Sequence, residues 1–132
     1  MSQENVEIVR DAIETWNRQD HDAALKFFSP DAELDASGRI LNPDIYTGVE
    51  GFMRFRRDIA EAWDRFELEI EDVFESDDRV VVFVRSIGRG RASGVEVDFQ
   101  SAWLVTVSDQ KITKLRLYRE RKEALEAARL RE

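Results

Sequence analysis

The stretch "VDFQSAWLV", residues 97–105, decides how this chain folds, because it reads as a β-strand with apolar residues on both faces. Val97, Phe99, Ser101, Trp103 and Val105 point one way. Asp98, Gln100, Ala102 and Leu104 point the other. A strand covered on one side alternates cleanly between apolar and polar. This one starts so and then turns apolar on its second face as well. Two questions follow: what covers each face, and why a serine sits in the middle of the greasier one.

The neighbouring segments share the period of two. In "RVVVFVRSIGRGR", 79–91, Val80, Val82, Val84 and Ser86 share a face. Val81, Phe83 and Ile87 share the other, with Arg85 between them. In "KITKLRLYR", 111–119, Leu115 and Leu117 lie with Thr113 and Arg119, while Lys114 and Arg116 point away. "FELEIEDVF", 66–74, alternates Phe66, Leu68 and Ile70 against Glu67, Glu69 and Glu71. "SDD", "ASG" and "SDQ" are the turns between these strands. The first turn sets Glu69 opposite Arg85, a surface pair of little energy. The last lacks the Asp-Gly of a tight hairpin and reads as looser.

Upstream the pattern is helical. Residues 3–19 place Val6, Val9, Ile13 and Trp16 on one stripe, with Ser2 as cap and Glu4 in the first turn. A short helix runs from Asp22 to Phe28 and is stopped by Ser29–Pro30. "DAELDAS" is a strand with Ala32, Leu34 and Ala36 on one face. Gly38, Asn42–Pro43 and Gly48 mark a loop. "TGVE" is a capping box, Thr47 with Glu50, opening a third helix whose buried stripe is Phe52, Phe55, Ile59 and Trp63. "ERKEALEAARLRE" is a terminal helix with no closing glycine, so it runs to the chain end. Helices followed by a meander of strands define an α+β fold, with an antiparallel sheet and the helices on one face.

Bulk properties narrow the class. The 132 residues fit one domain, 1–132, with 42% apolar and 36% charged residues. No apolar run is long enough to span a bilayer, no signal peptide is evident, and cysteine is absent. A cytoplasmic protein with no membrane partner is the expectation. Net charge is −8, split as −13 over residues 1–78 and +5 over 79–132. The basic half reads as a cross-paired sheet face. Nucleic acid is not expected as a partner, because the whole chain repels phosphate.

The order of elements, with "NRQDHDAALKFFSPDAELD", "YTGVEGFMRF", "GRGRASGVEV" and "LRLYRERKEALEAA", resembles the SnoaL-like branch of the NTF2-like superfamily. The resemblance covers nearly the whole chain. It implies a cone: a curved antiparallel sheet wrapped around the N-terminal helices, an apolar pocket at the open end, and a C-terminal helix. It also implies a homodimer through the outer sheet face, whose Val81, Phe83 and Ile87, beside Ala102, Leu104 and Thr106, form a patch unless "EALEAARL" folds back over it. Relatives include steroid isomerases and polyketide cyclases, so the fold leaves activity open.

Within such a cone the residues expected to touch a small apolar molecule are Trp16, Trp63, Ser86, Phe99, Ser101, Trp103, Leu117 and Arg119. The catalytic pattern of the steroid isomerases is not matched. Its tyrosine falls on Ala12 and its two acids on Ala36 and Trp103. The epoxide hydrolases of the superfamily need inward acids around an arginine, and Arg119 has none beside it. Asp35 as general base and Tyr46 as orienting hydroxyl are the enzymatic candidates that the resemblance leaves, for an isomerase, cyclase or hydrolase acting on an apolar, ring-containing substrate. The alternative is a binding or interaction domain without catalysis. One histidine, His21, expected at the surface, and no cysteine make a metal site unexpected. "GRGRASG" lies between strands and is a hairpin end, not a phosphate loop. No cofactor is expected.

Overall fold

A computed structural model describes residues 2–38 and 44–128, with the side chains of Ser2 and Gln3 excepted. The cap expected at Ser2, the turn at Asn42–Pro43 and the last turn of the terminal helix lie outside the described residues.

The first helix, α1 (Ser2–Asn17), carries its apolar stripe inward, with Val9 1% exposed. It stops at Gln19, which takes the left-handed φ of 63°. The next helix starts and ends earlier than its sequence suggests. In α2 (His21–Leu25), Asp20 is the cap and accepts from the Ala23 N–H at 3.2 Å. Phe28, Ser29 and Pro30 then belong to β1 (Phe28–Asp35). A proline is tolerated there because the pairing register of β1 breaks between Phe28 and Glu33, so no ladder bond is asked of its nitrogen.

The loop read at residues 37–48 contains a short strand, β2 (Ile45–Thr47), paired antiparallel with β1. Thr47 precedes α3 (Gly48–Ala62), but its side chain makes no cap bond. Gly48, at φ +70°, turns the chain between them, so the expected capping box does not form. The close approach of α3 to β2 depends on Gly51, where a Cβ would lie 2.8 Å from the Tyr46 carbonyl carbon.

Four strands follow: β3 (Trp63–Ser76), β4 (Arg79–Gly90), β5 (Glu96–Ser108) and β6 (Lys111–Tyr118). The sheet order is β2-β1-β6-β5-β4-β3. The meander is antiparallel, as its turns require, but β1 runs parallel to β6, so the sheet is mixed. The turn before β6 is tighter than expected. Ser108 pairs with Lys111, and Asp109 and Gln110 both take positive φ, which is a two-residue turn held by non-glycine residues. Glu69 does face Arg85, at 3.6 Å.

Each face of β5 has its own cover. Its inner face joins Val80, Val82 and Val84 of β4 against α1. Its outer face, at Ala102 and Leu104, joins Val81 and Phe83 beneath the terminal helix α4 (Arg121–Ala127). The helices therefore lie on both sides of the sheet, and α4 folds back over the outward patch. Arg121 fastens it by donating to the carbonyls of Val84 and Ser101, and it stacks over the Phe83 ring at 4.7 Å. A β-bulge at Glu71 helps. It shifts the register between Ile70 and Asp72, so Val73 faces inward and Phe74 joins the outer cluster. Among the described residues no helix is long and apolar enough to cross a membrane.

Candidate functional site

The inner faces of β4, β5 and β6 meet α1 and α3 around a cavity of about 120 Å³. Strand parity supplies one wall: Ser86, Ser101, Trp103 and Leu117. Helical spacing supplies the other, with Ala12 and Trp16 from α1 and Phe52, Phe55 and Ile59 from α3. Trp16 packs on Phe55 at 5.5 Å and edge-on to Phe52 at 5.9 Å, so the wall is largely aromatic. The end of α1 is pinned to the sheet edge by Asn17. Its amide donates to the Leu68 carbonyl at 2.7 Å and accepts from the Leu68 N–H at 3.1 Å, bonding as a neighbouring strand would.

Of the residues singled out in the sequence, Trp16, Ser86, Phe99, Ser101, Trp103 and Leu117 line this cavity. Phe99 is 45% exposed and stands partly in solvent. Trp63 and Arg119 do not line it. Trp63 opens β3 instead of closing α3, and its ring packs on Phe66 at 5.6 Å. Arg119 lies beyond the end of β6, so strand parity no longer holds it inward. It is exposed beside Ser37 and Glu123 in a separate polar cleft. His21 is half-buried, with its ring 4.9 Å from that of Trp16. Burial, and then Arg56, hold its pKa below the ordinary histidine value.

Neither catalytic candidate lines the cavity, and the two point away from each other. Asp35 pairs with Ile45 and Tyr46 with Leu34, so strand parity sends their side chains to opposite sides of the β1–β2 pair. Asp35 accepts from the Ser37 N–H at 3.0 Å and from the Ser37 hydroxyl, and Arg116 lies 3.7 Å away. Burial pushes its pKa up, but the two Ser37 bonds, Arg116 and Lys114 outweigh burial and hold it below the ordinary carboxylate value. Tyr46 is 1% exposed, and its hydroxyl donates to Asp58 at 2.7 Å.

A carboxylate so arranged supports the fold. Its folded pKa lies below the unfolded one, so its contribution is present above the ordinary carboxylate value and is lost as pH falls through the folded value. Asp35→Asn is expected to cost about 1–3 kcal/mol at pH 7. The gap to the unmodified protein should close in strong acid. Urea unfolding across the acid range checks this, and an equal gap at both ends would show that the charge is not responsible.

Sequence reading missed Phe52, Phe55, Phe66 and Leu68 as cavity residues, although it placed all of them on buried faces. What it lacked was the gap between the helix and sheet layers, which no periodicity reports. Among the described residues no group of His, Asp or Glu is arranged to hold a metal ion.

A curved mixed sheet closed over two helices, with an apolar hollow between them, defines a cone of the NTF2-like type. Residues 9–115 match the model of the SnoaL-like domain, and the chain belongs to that family. No curated protein matches it. The solved structures it resembles share the fold at low identity. An NTF2-like protein of unknown function from Burkholderia pseudomallei is 16% identical with a TM-score of 0.79, over 95% of this chain and 97% of that one. A candidate SnoaL-like polyketide cyclase from Jannaschia is 22% identical with a TM-score of 0.78, over 100% and 96%. A protein with a ketosteroid isomerase-like fold from Catenulispora acidiphila, in complex with trimethylamine, is 17% identical with a TM-score of 0.77, over 95% and 94%.

Proposed function

We propose that this chain, as one domain, binds a small apolar, ring-containing molecule in the cavity between α1, α3 and the sheet, without acid/base catalysis. One observation carries the reading. Among the described residues, the cavity wall holds no Asp, Glu, His, Lys or Arg. A proton-moving group has to stand within hydrogen-bond reach of its substrate. Asp35 is tied to Ser37 and Tyr46 to Asp58, and neither lines the cavity. An isomerase, cyclase or hydrolase mechanism run by that pair therefore has no support from their placement. The family supports a small molecule as the partner, and the wall supports an apolar one.

Native mass spectrometry of freshly purified protein, followed by calorimetric titration with benzene and its oxygenated relatives, tests the reading. Binding that survives Asp35→Asn is the expected result. Turnover of such a compound that Asp35→Asn abolishes would replace binding with acid/base catalysis.

The homodimer expected through the outer face is a separate proposal. Because α4 covers Val81, Phe83, Ala102 and Leu104, such a dimer would use the charged part of that face, around Arg85, Asp98 and Glu69. Sedimentation of the unmodified protein tests it, and fractionation of cells making a tagged chain tests the cytoplasmic setting.

A further inference from the structure

The serine in the middle of the greasy face of β5 carries a hydroxyl that the described residues leave unpaired. Ser101 is 3% exposed, it lines the cavity, and its Oγ has no hydrogen-bond partner. A buried hydroxyl left unpaired is destabilising, and an apolar residue of similar size would avoid the cost. Its backbone is occupied from the other side, where Arg121 Nε donates to the Ser101 carbonyl at 3.3 Å. Two other buried oxygens lack partners among the described residues, on Ser29 and Glu75, and neither residue lines this cavity.

Size and charge limit what could satisfy it. A dry apolar cavity of roughly 150 Å³ takes up benzene. The 120 Å³ here is smaller, so it suits a single ring without bulky substituents, not a fused polycycle. The aromatic side chains of Trp16, Phe52, Phe55 and Trp103 suit a flat or chair-like ring. An ionised ligand group would find no opposite charge in the described wall, so the occupant is neutral.

Resting on the proposed binding role, we infer that the natural occupant is a neutral single-ring molecule bearing one oxygen, of the phenol or cyclic-ketone class, and that Ser101 Oγ is the residue that recognises that oxygen. Ser101 then sets specificity: it separates an oxygenated ring from the bare hydrocarbon of the same shape.

The test is calorimetric titration of benzene, phenol and cyclohexanone into the unmodified protein and into Ser101→Ala. The unmodified protein is expected to bind the two oxygenated rings about tenfold more tightly than benzene, the scale of one hydrogen bond. In Ser101→Ala that preference should vanish and benzene affinity should hold. The ligand-free variant should melt no lower than its parent, because it loses an unpaired hydroxyl. Ser101→Cys, which keeps the shape and weakens the donor, should lose most of the preference if the alanine variant folds poorly. Equal binding of all three compounds to both proteins would overturn the role of Ser101 and leave the pocket reading intact. No binding of any of them would overturn both.

Discussion

Leu125→Ala is expected to destabilise the fold by about 2–5 kcal/mol, the range for emptying a buried leucine site. Leu125 is 3% exposed and closes the outer cluster with Ala124 and Ala128 over Val81, Phe83, Ala102 and Leu104. A typical domain has only about 5–15 kcal/mol to lose. Ending the chain after Glu120 removes the cover altogether, together with the Arg121 bonds to Val84 and Ser101. The truncated chain should self-associate through the bared apolar patch, and urea titration with sedimentation would follow both effects. A loss below about 1 kcal/mol for Leu125→Ala, as for a surface site, with a truncated chain that stays monomeric, would mean that α4 rests on the sheet without holding it.

This cover was half legible in the sequence. The change from Asp98 and Gln100 to Ala102 and Leu104 on one side of β5 says that something must lie over the second half of the strand. Alternation cannot say whether that is a second subunit or the chain's own end, because both bury the same residues. The bulge at Glu71 was hidden for a related reason. Phe74 continues the parity of Phe66 and Leu68, and only the register against β4 shows it turned outward. At the site, strand parity predicted that Ser86, Ser101, Trp103 and Leu117 face inward, and each lines the cavity. Arg119 and Trp63 were misplaced because each lies where a period ends. One stands beyond β6, the other at the change from α3 to β3, and a pattern extended past its element points nowhere. The expected Asp35–Tyr46 pair came from family resemblance, and the β1–β2 register, which no sequence pattern displays, sends the two apart.

Phe55→Ala is expected to have the other large effect, on stability and on ligand choice together. Phe55 is 8% exposed and stands between two rings, with Trp16 at 5.5 Å and Tyr46 at 5.2 Å. Removing a buried phenylalanine costs about 3–5 kcal/mol, more where the surroundings cannot collapse into the space. Collapse is restrained here. Asn17 pins α1 to β3, and the tight contact of Gly51 with Tyr46 holds α3 against β2. The lost ring should therefore remain as space added to a cavity of 120 Å³, and the variant should accept a two-ring molecule that the parent excludes. Calorimetry with naphthalene-sized and benzene-sized alcohols, beside urea unfolding, measures both consequences. A variant that loses stability without gaining the larger ligand would show that α3 moves inward to fill the gap. The size limit would then be set by the reach of that helix and not by the Phe55 ring.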